Sequence, residues 1–238
     1  MDKDARPVGA LVTGGAARWP DGRDLVGRAV RLERLDPVRH GPALWAEMAG
    51  QDGLWDYLFE GPPAGETAFT GFLESYAAQK DWVGYAICRP DRRAQGYAFY
   101  LAIKPDMGSI EVGNINFAPA LQRSVAATEA MFVMMQEAFA LGFRRYEWKC
   151  NALNLPSRRA AQRLGFSWEG VFRQHMIVKG RNRDTAWFAM TDQDWPALRA
   201  GFARWLEPDN FDGAGKQRQA LSGLTSPARV ASDPAHSG

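Results

Sequence analysis

The residues best suited to binding an anionic ligand lie at the start of a predicted long helix, which follows a strand at residues 109–117. Residues 122–130 read QRSVAATEA, and most side chains between 124 and 128 are small. A helix start offers unpaired backbone N–H groups and the positive end of a dipole, which suit a phosphate. Small side chains would let the ligand approach the backbone. From chemistry alone, an ordinary helix start with small packing residues is the better explanation.

The cysteines and histidines do not form a metal-binding pattern. The 238 residues include two cysteines, Cys88 and Cys150, and three histidines. Neither a disulfide framework nor a zinc spacing can be built from them, so we expect no metal. Cys150 ends a predicted strand, and no histidine is placed to activate it. We interpret it as a buried strand residue.

The charge balance and the hydropathy of the chain argue against nucleic-acid and membrane partners. The chain has 29 basic and 27 acidic residues, a formal net charge of +2. This balance excludes a strongly basic nucleic-acid binder, so we expect no direct nucleic-acid partner. No run approaches the roughly 18 apolar residues of a membrane helix, and the N-terminal segment lacks an apolar signal region. We therefore expect a cytoplasmic protein with no membrane partner.

The elements that must position the helix start alternate between strands and helices. Alternating residues such as Ala29–Leu35 predict strands, and apolar residues at helical spacing predict helices. Short turns make the middle strands antiparallel, while the helix at 122–141 permits one parallel pairing. The pattern predicts an α/β fold, a mixed, mostly antiparallel sheet with helices on both faces. Strands are predicted at 29–35, 82–88, 96–103, 109–117, 144–150, 166–178 and 184–191, and helices at 38–49, 51–59, 66–79, 122–141, 155–164 and 194–205.

Composition divides the chain into three parts. Residues 1–26 are rich in Gly, Ala, Pro and Asp and predict an N-terminal extension, ordered where Trp19 and Leu25 can pack. Residues 27–206 form one domain. Residues 207–238 contain few large apolar side chains and predict a flexible or loosely attached C-terminal tail.

Several short motifs resemble one family in combination. Ile110-Glu111-Val112-Gly113 is followed by Ala127-Thr128-Glu129-Ala130. Further along, Asn154 and Ser157 precede Leu164-Gly165-Phe166 and Glu169-Gly170. Over residues 28–192 this spacing resembles the GNAT superfamily of acetyl-CoA-dependent N-acetyltransferases, and within it the RimJ/RimL type, which acetylates the N-termini of ribosomal proteins.

The resemblance implies a GNAT fold and direct attack of an amine on the thioester of acetyl-CoA. The implied acceptor is a protein N-terminal Ser or Ala amine, as on a ribosomal protein, and the resemblance leaves a homodimer open. Glu111 would be the catalytic base, although a strand glutamate paired with a neighbour such as Lys104 is an equal alternative. Ser157 would be the acid that protonates the thiolate, although it could simply satisfy a backbone N–H. The implied cofactor-binding residues are Asn116, Phe117, Gln122, Arg123, Ser124, Val125, Ala126, Ala127, Thr128 and Asn154.

Two positions depart from the family pattern. Val125 stands where the loop [Q/R]-x-x-G-x-[G/A] has glycine, so the loop is expected to avoid positive φ there. Met176 stands where RimL-like enzymes have a second carboxylate, and strand alternation places His175 on the opposite face. These departures leave two alternatives open: an acetyltransferase of small-molecule amines, and a non-catalytic acyl-CoA-binding module.

The sequence also indicates a region that could cover the acceptor. In GNAT folds the segment before the first hairpin covers the acceptor, and here it carries four aromatic residues, for most of which core packing is the favoured interpretation. Acidic residues there could attract an amine. A basic hairpin near residue 180 is interpreted as a solvated turn. The aromatic residues are Trp45, Trp55, Tyr57 and Phe59, the acidic ones Asp52, Asp56 and Glu60, and the basic ones Arg173, Lys179, Arg181 and Arg183.

Overall fold

A computed structural model describes residues 8–236, and this part of the chain forms one eight-stranded sheet in the order β1-β2-β3-β4-β5-β6-β8-β7. All neighbouring strands are antiparallel except β5 and β6. The mixed, mostly antiparallel sheet predicted from sequence is confirmed. The strands are β1 Leu25–Val26, β2 Arg31–Arg34, β3 Val83–Cys88, β4 Ala94–Lys104, β5 Ser109–Phe117, β6 Arg145–Asn151, β7 Ser167–Val178 and β8 Arg181–Thr191.

Helices cover both faces of the sheet, as predicted. Alternation along β3 shows this directly, because Tyr85 and Ile87 belong to one apolar cluster and Ala86 and Cys88 to the other. The first cluster packs under α3 and α5, and the second under α1 and α2. The helices are α1 Pro37–Met48, α2 Glu66–Ala77, α3 Val125–Ala140, α4 Leu155–Arg163, α5 Trp195–Leu206 and α6 Leu221–Thr225. Among the described residues, no helix is both long and apolar enough to cross a bilayer.

Local signals explain where most helices begin. The Asp36 side chain accepts from the N–H groups of Val38 and Arg39, and Pro37 occupies the first turn of α1.

The helix predicted at 51–59 is wrong, because the segment contains only one 3-10 turn, Asp52–Trp55. Gly50 adopts φ 72° after α1, and the glycine at 53 adds little helix propensity.

The N-terminal segment contacts the sheet near its start. Leu25 is 6% exposed and pairs with Leu32 across β1 and β2, whereas Trp19 is 44% exposed. The N–H of Ala17 donates to the carbonyl of Pro105. Packing by Leu25 agrees with the sequence analysis, and packing by Trp19 does not.

Residues 207–236 differ from the expected loosely attached tail. Leu221 is fully buried under the first core cluster, and Asp233 is also fully buried. Asp233 accepts from Arg158 Nε at 2.6 Å and Nη2 at 2.5 Å, and Arg158 Nη1 donates to the carbonyl of Ala152 at 2.7 Å. The few apolar residues of this segment, together with the buried ion pair, therefore attach it to the rest of the fold.

Candidate active site

The only parallel pair of strands among the described residues opens before its strands end. Registered pairs between β5 and β6 stop at Val112 and Trp148, although β5 continues to Phe117 and β6 to Asn151. Asn114 has φ 47°, and the register with β4 shifts beside it. The irregular backbone turns the end of β5 away from β6. An opening in the sheet therefore lies next to Glu111 and the start of α3.

Glu111 lies at this opening with a buried cationic partner. Its Oε2 accepts from Lys149 Nζ at 2.9 Å, so the partner is Lys149 and not the exposed Lys104. The side chains of Glu111 and Lys149 are 13% and 17% exposed. Burial raises the pKa of Glu111, and the charge of Lys149 opposes that shift without cancelling it. A carboxyl with a raised pKa is a better proton acceptor than an ordinary surface glutamate.

Lys149 joins Glu111 to a wider charge network. Its Nζ also lies 2.9 Å from Glu147 and 4.0 Å from the ring centroid of Trp187. Burial opposes the charge on Lys149, but the neighbouring carboxylates outweigh it and raise its pKa. Burial also acts to raise the pKa of Glu147, yet hydrogen bonds from Arg145 and Lys149 hold it below its usual value. Lys149 thus stays charged and fixes the position of Glu111.

Ser157 lies on α4, which follows β6. The Asn154 side chain caps the helix by accepting from the Ser157 N–H at 3.1 Å. Ser157 Oγ accepts from Trp148 Nε1 at 3.0 Å, so its own hydroxyl proton can donate, and the Cys150 sulfur is within hydrogen-bonding reach. The neighbouring Cys150 is buried, and burial raises the pKa of its thiol to about 11, with Ser157 opposing the shift. Cys150 is therefore a neutral thiol near pH 7 and no activated nucleophile.

The loop before α3 differs from the expected geometry at one residue. Val125 is the first residue of α3, with helical backbone as expected, but Arg123 adopts φ 57°. Ser124 caps the helix by accepting from the Ala127 N–H at 3.0 Å. The N–H groups of the first turn have no intrahelical partner, so those of Val125 and Ala126 point out of the helix start. Such a helix start has the donors that an anion requires, and it forms without glycine at position 125.

Other predicted cofactor residues have structural partners. Gln122 Nε2 donates to the carbonyl of Phe117 at 2.8 Å and closes the loop onto β5. Thr128 accepts from Arg163 Nη1 at 3.1 Å. Asn116 is 3% exposed, and its Nδ2 donates to the Tyr97 hydroxyl at 3.2 Å. These side chains shape the loop and the strand, so contact with a cofactor at Asn116 is left to its backbone.

The segment expected to cover the acceptor, residues 52–60, contacts the β7–β8 hairpin. Trp45 and Trp55 pack against Phe69, as the core interpretation predicts. Lys179 Nζ donates to the carbonyl of Trp55 at 2.7 Å and ties the hairpin tip to this segment. Arg183 lies 4.8 Å from the ring centroid of Phe59.

Arg183 corrects the interpretation of a solvated basic turn. Arg173, Lys179 and Arg181 are exposed, but Arg183 is only 8% exposed. Sequence reasoning also missed Lys149 and Trp187 as parts of this surface. A signal was available, since Arg183, Thr185 and Trp187 alternate along β8 and must share one face.

A bulge changes the faces of His175 and Met176. The register between β7 and β8 shifts between Phe172 and Met176. Met176 pairs directly with Arg183, while His175 Nδ1 lies 2.9 Å from Thr185 Oγ1. Both residues therefore lie toward the face of Thr185, and simple alternation fails because the bulge adds unpaired residues.

One cluster elsewhere has the side chains of a metal site. Potential ligand atoms of Glu33, His40 and Cys88 lie within 4.8 Å of one another. His40 Nδ1 accepts from the Asp36 N–H at 3.0 Å, so Nε2 carries the proton and faces Glu33. Three arginines also surround Glu33, namely Arg31, Arg39 and Arg92. This arrangement repels a cation.

Comparisons with known proteins agree with the geometry. A family model for the acetyltransferase (GNAT) domain matches residues 30–167. The chain is 42% identical to a GCN5-related N-acetyltransferase from Brucella melitensis, with a TM-score of 0.87 over 91% of this chain and 100% of that one. It is also 42% identical to a probable GNAT-family acetyltransferase from Chromobacterium violaceum, with a TM-score of 0.77 over 81% and 98% of the two chains.

A more distant structure shares the fold alone. It is an acetyl transferase from Salmonella typhimurium that modifies the N-terminal serine of ribosomal protein L7/L12. The identity is 19% and the TM-score 0.62, over 71% of this chain and 99% of that one. No protein with a curated description matches the chain significantly.

Proposed function

Because the chain belongs to the GNAT acetyltransferase family, we propose that it transfers an acetyl group from acetyl-CoA to a primary amine, with Glu111 as the base. The observation that carries the proposal is the buried Glu111–Lys149 pair beside the opening between β5 and β6. A protein α-amine has a pKa of about 7.7–8.0. A carboxylate whose pKa is raised by burial can accept its proton near neutral pH.

The remaining residues bind and orient. Backbone N–H groups at the start of α3 suit the pyrophosphate, with Ser124, Val125, Ala126 and Ala127 as its cradle. The amine nitrogen forms a bond to the acetyl carbon as the carbon–sulfur bond breaks. Glu111 takes the amine proton, and Ser157 gives its hydroxyl proton to the departing thiolate. Exchange with solvent then returns both groups to their starting states.

The acceptor that we propose is a protein N-terminal Ser or Ala amine. Its support is the motif resemblance, together with the shared fold of the Salmonella enzyme. A small-molecule amine is the second candidate, because Met176 faces the acceptor side where RimL-like enzymes have a carboxylate.

A thermal-shift titration with acetyl-CoA and with CoA tests the first step. Ligand that binds only the folded state raises the unfolding temperature once its concentration exceeds Kd. The matched variant is Val125→Asp, which puts a negative charge in the cradle while favouring the helix dipole. We expect a saturable rise for the wild type and a much weaker one for the variant, each measured against its own unfolding temperature without ligand because Val125 packs against the core.

Turnover of amine panels tests the second step. Peptides starting with Ser or Ala should release CoA, and the same peptides with blocked N-termini should not. Turnover of small amines alone would decide for the second candidate. Binding without transfer to any amine would overturn catalysis and indicate an acyl-CoA-binding module, and no response to millimolar acetyl-CoA would overturn the whole proposal.

A further inference from the structure

Arg183 is a buried guanidinium without a hydrogen-bonded partner among residues 8–236. The residue is 8% exposed, and its Nε is buried and unpaired. Its guanidinium carbon lies 4.8 Å from the centroid of the Phe59 ring, which is a cation–π contact. Burial lowers the pKa of Arg183. Burying an arginine without an acceptor costs free energy, so a fold keeps one only when something else requires it.

A second unpaired donor shares its face. Trp187 Nε1 is also buried without a partner, and Trp187 lies four residues from Arg183 along β8, on the same side of the sheet. The ring of Trp187 contacts Lys149, which holds Glu111. Two unpaired donors thus lie on the face of β8 that is next to the proposed base.

Carboxylates on the elements around Arg183 have other hydrogen-bond partners. Glu111 acts on Arg183 electrostatically, but it is hydrogen bonded to Lys149. Glu60 accepts from the Tyr76 hydroxyl at 2.5 Å. Asp184 points elsewhere, since its Oδ1 accepts from Asn182 and from the backbone of Gln174. These contacts leave the donors of Arg183 to a ligand.

We propose that the amine acceptor carries an anionic group, a carboxylate or a phosphate, which Arg183 binds while the amine reaches Glu111. This inference rests on the proposed acetyltransferase function and adds the charge of its substrate. A guanidinium binds carboxylates and phosphates through paired N–H groups. The ring of Phe59 and the partly buried Met176 would hold the apolar part of the acceptor beside it.

Matched pairs of acceptors separate the sources of such an anion. L-serine against L-serinamide tests an α-carboxylate, and phosphoethanolamine against ethanolamine tests a phosphate. A C-terminally amidated Ser-Asp-Ala-Ala peptide against its Ser-Asn-Ala-Ala analogue tests a side-chain carboxylate on a peptide. Hydrogen bonds to charged groups contribute about 1.5–3 kcal/mol, so we expect kcat/KM to favour the anionic member of at least one pair by about 10- to 150-fold.

The variant Arg183→Met tests the residue itself. It should abolish the preference for the anion, measured as the ratio of kcat/KM within each pair at a pH above the acidic limb, where loss of the Arg183 charge does not change the ionisation of Glu111. Its unfolding temperature should be unchanged or higher, because an apolar side chain of similar size replaces a buried, uncompensated charge. The control is Arg181→Met, which removes an exposed arginine on the same side of the hairpin and should leave the preference intact.

Four results would overturn the inference. Turnover without an anion preference in any pair would do so, as would a preference that survives Arg183→Met. An Arg183→Met variant that loses stability would assign the residue to the fold, and one that weakens acetyl-CoA binding would assign it to the cofactor site. Absence of turnover with every amine would instead overturn the proposed function, and the inference with it.

Discussion

Two buried glutamates on one sheet have different surroundings. Glu33 on β2 is 1% exposed and contacts His40 and the guanidinium groups of Arg31, Arg39 and Arg92. Glu111 on β5 has one cationic partner within ion-pair distance, and that partner is shared with Glu147. The Glu33 carboxylate is thus held by several cationic side chains. Glu111 has little compensation and lies where two strands separate, so its carboxyl can exchange a proton with a ligand.

Replacement of Glu111 should give the largest effect and separates function from fold. Glu111→Gln removes the base but keeps an oxygen that can accept from Lys149. Loss of a general base lowers kcat by about 10²–10⁴-fold. Steady-state kinetics with a Ser-started peptide and circular dichroism measure the two properties. A variant with near wild-type kcat would show that Glu111 is only the structural partner of Lys149.

The matched substitution at Glu33 should lower the stability of the fold and leave kcat of the folded protein unchanged. Glu33→Gln leaves three arginines without their carboxylate, and removal of one partner from a buried ion-pair cluster costs about 3 kcal/mol or more. The arginine side chains are 33–56% exposed and can turn toward water, which places the loss at the lower end. Urea unfolding measures it. If kcat falls by more than the folded fraction does, the contrast between the two glutamates is wrong.

The pH profile should sharpen the comparison further. Burial raises the pKa of Glu111 and the charge of Lys149 lowers it, so Lys149→Met should raise it further. Activity requires the ionised base and is lost as pH falls through that pKa. The acidic limb of kcat/KM should therefore move to higher pH in Lys149→Met. The control is Lys104→Met, whose exposed side chain has no contact with Glu111 and should leave the limb in place. An unmoved limb in both variants would assign the titration to another group.

The smallest expected effect is at Ser157. Ser157→Ala removes the proposed acid and the acceptor of Trp148 Nε1, but the backbone N–H still donates to Asn154. We expect kcat to fall about 10-fold, less than for the base because a thiolate is a good leaving group. Stability should fall by about 1 kcal/mol. A larger loss of stability than of kcat would make Ser157 a structural residue.

Much of the fold could be predicted because its signals are local. The bounds of β5 were predicted to the residue, and the helix predicted at 155–164 is observed at Leu155–Arg163. The helix predicted at 51–59 is wrong, because Gly50 and Gly53 add little helix propensity and the segment forms only one 3-10 turn.

Less of the candidate site could be predicted from the sequence, because its contacts join residues that are far apart in the chain. Glu111 and Lys149 are 38 residues apart, so the sequence offered the neighbour Lys104 as an equal partner. Arg183 becomes buried because the hairpin reaches the segment around Phe59, and no local pattern encodes that approach. The positive φ at Arg123 was not predicted either. The departure from the family pattern is at Val125, but the left-handed backbone conformation is two residues earlier.

Arg158 and Asp233 form a buried ion pair between two parts of the sequence that are far apart, so these parts should evolve together. The family model ends at residue 167, yet a carboxylate 66 residues beyond it holds the arginine next to Ser157. Loss of either partner leaves the other charged and buried, which selection would remove. Among relatives we expect the two positions to change together. The C-terminal segment is thus inherited with α4, and a catalytic domain exchanged between relatives must include both.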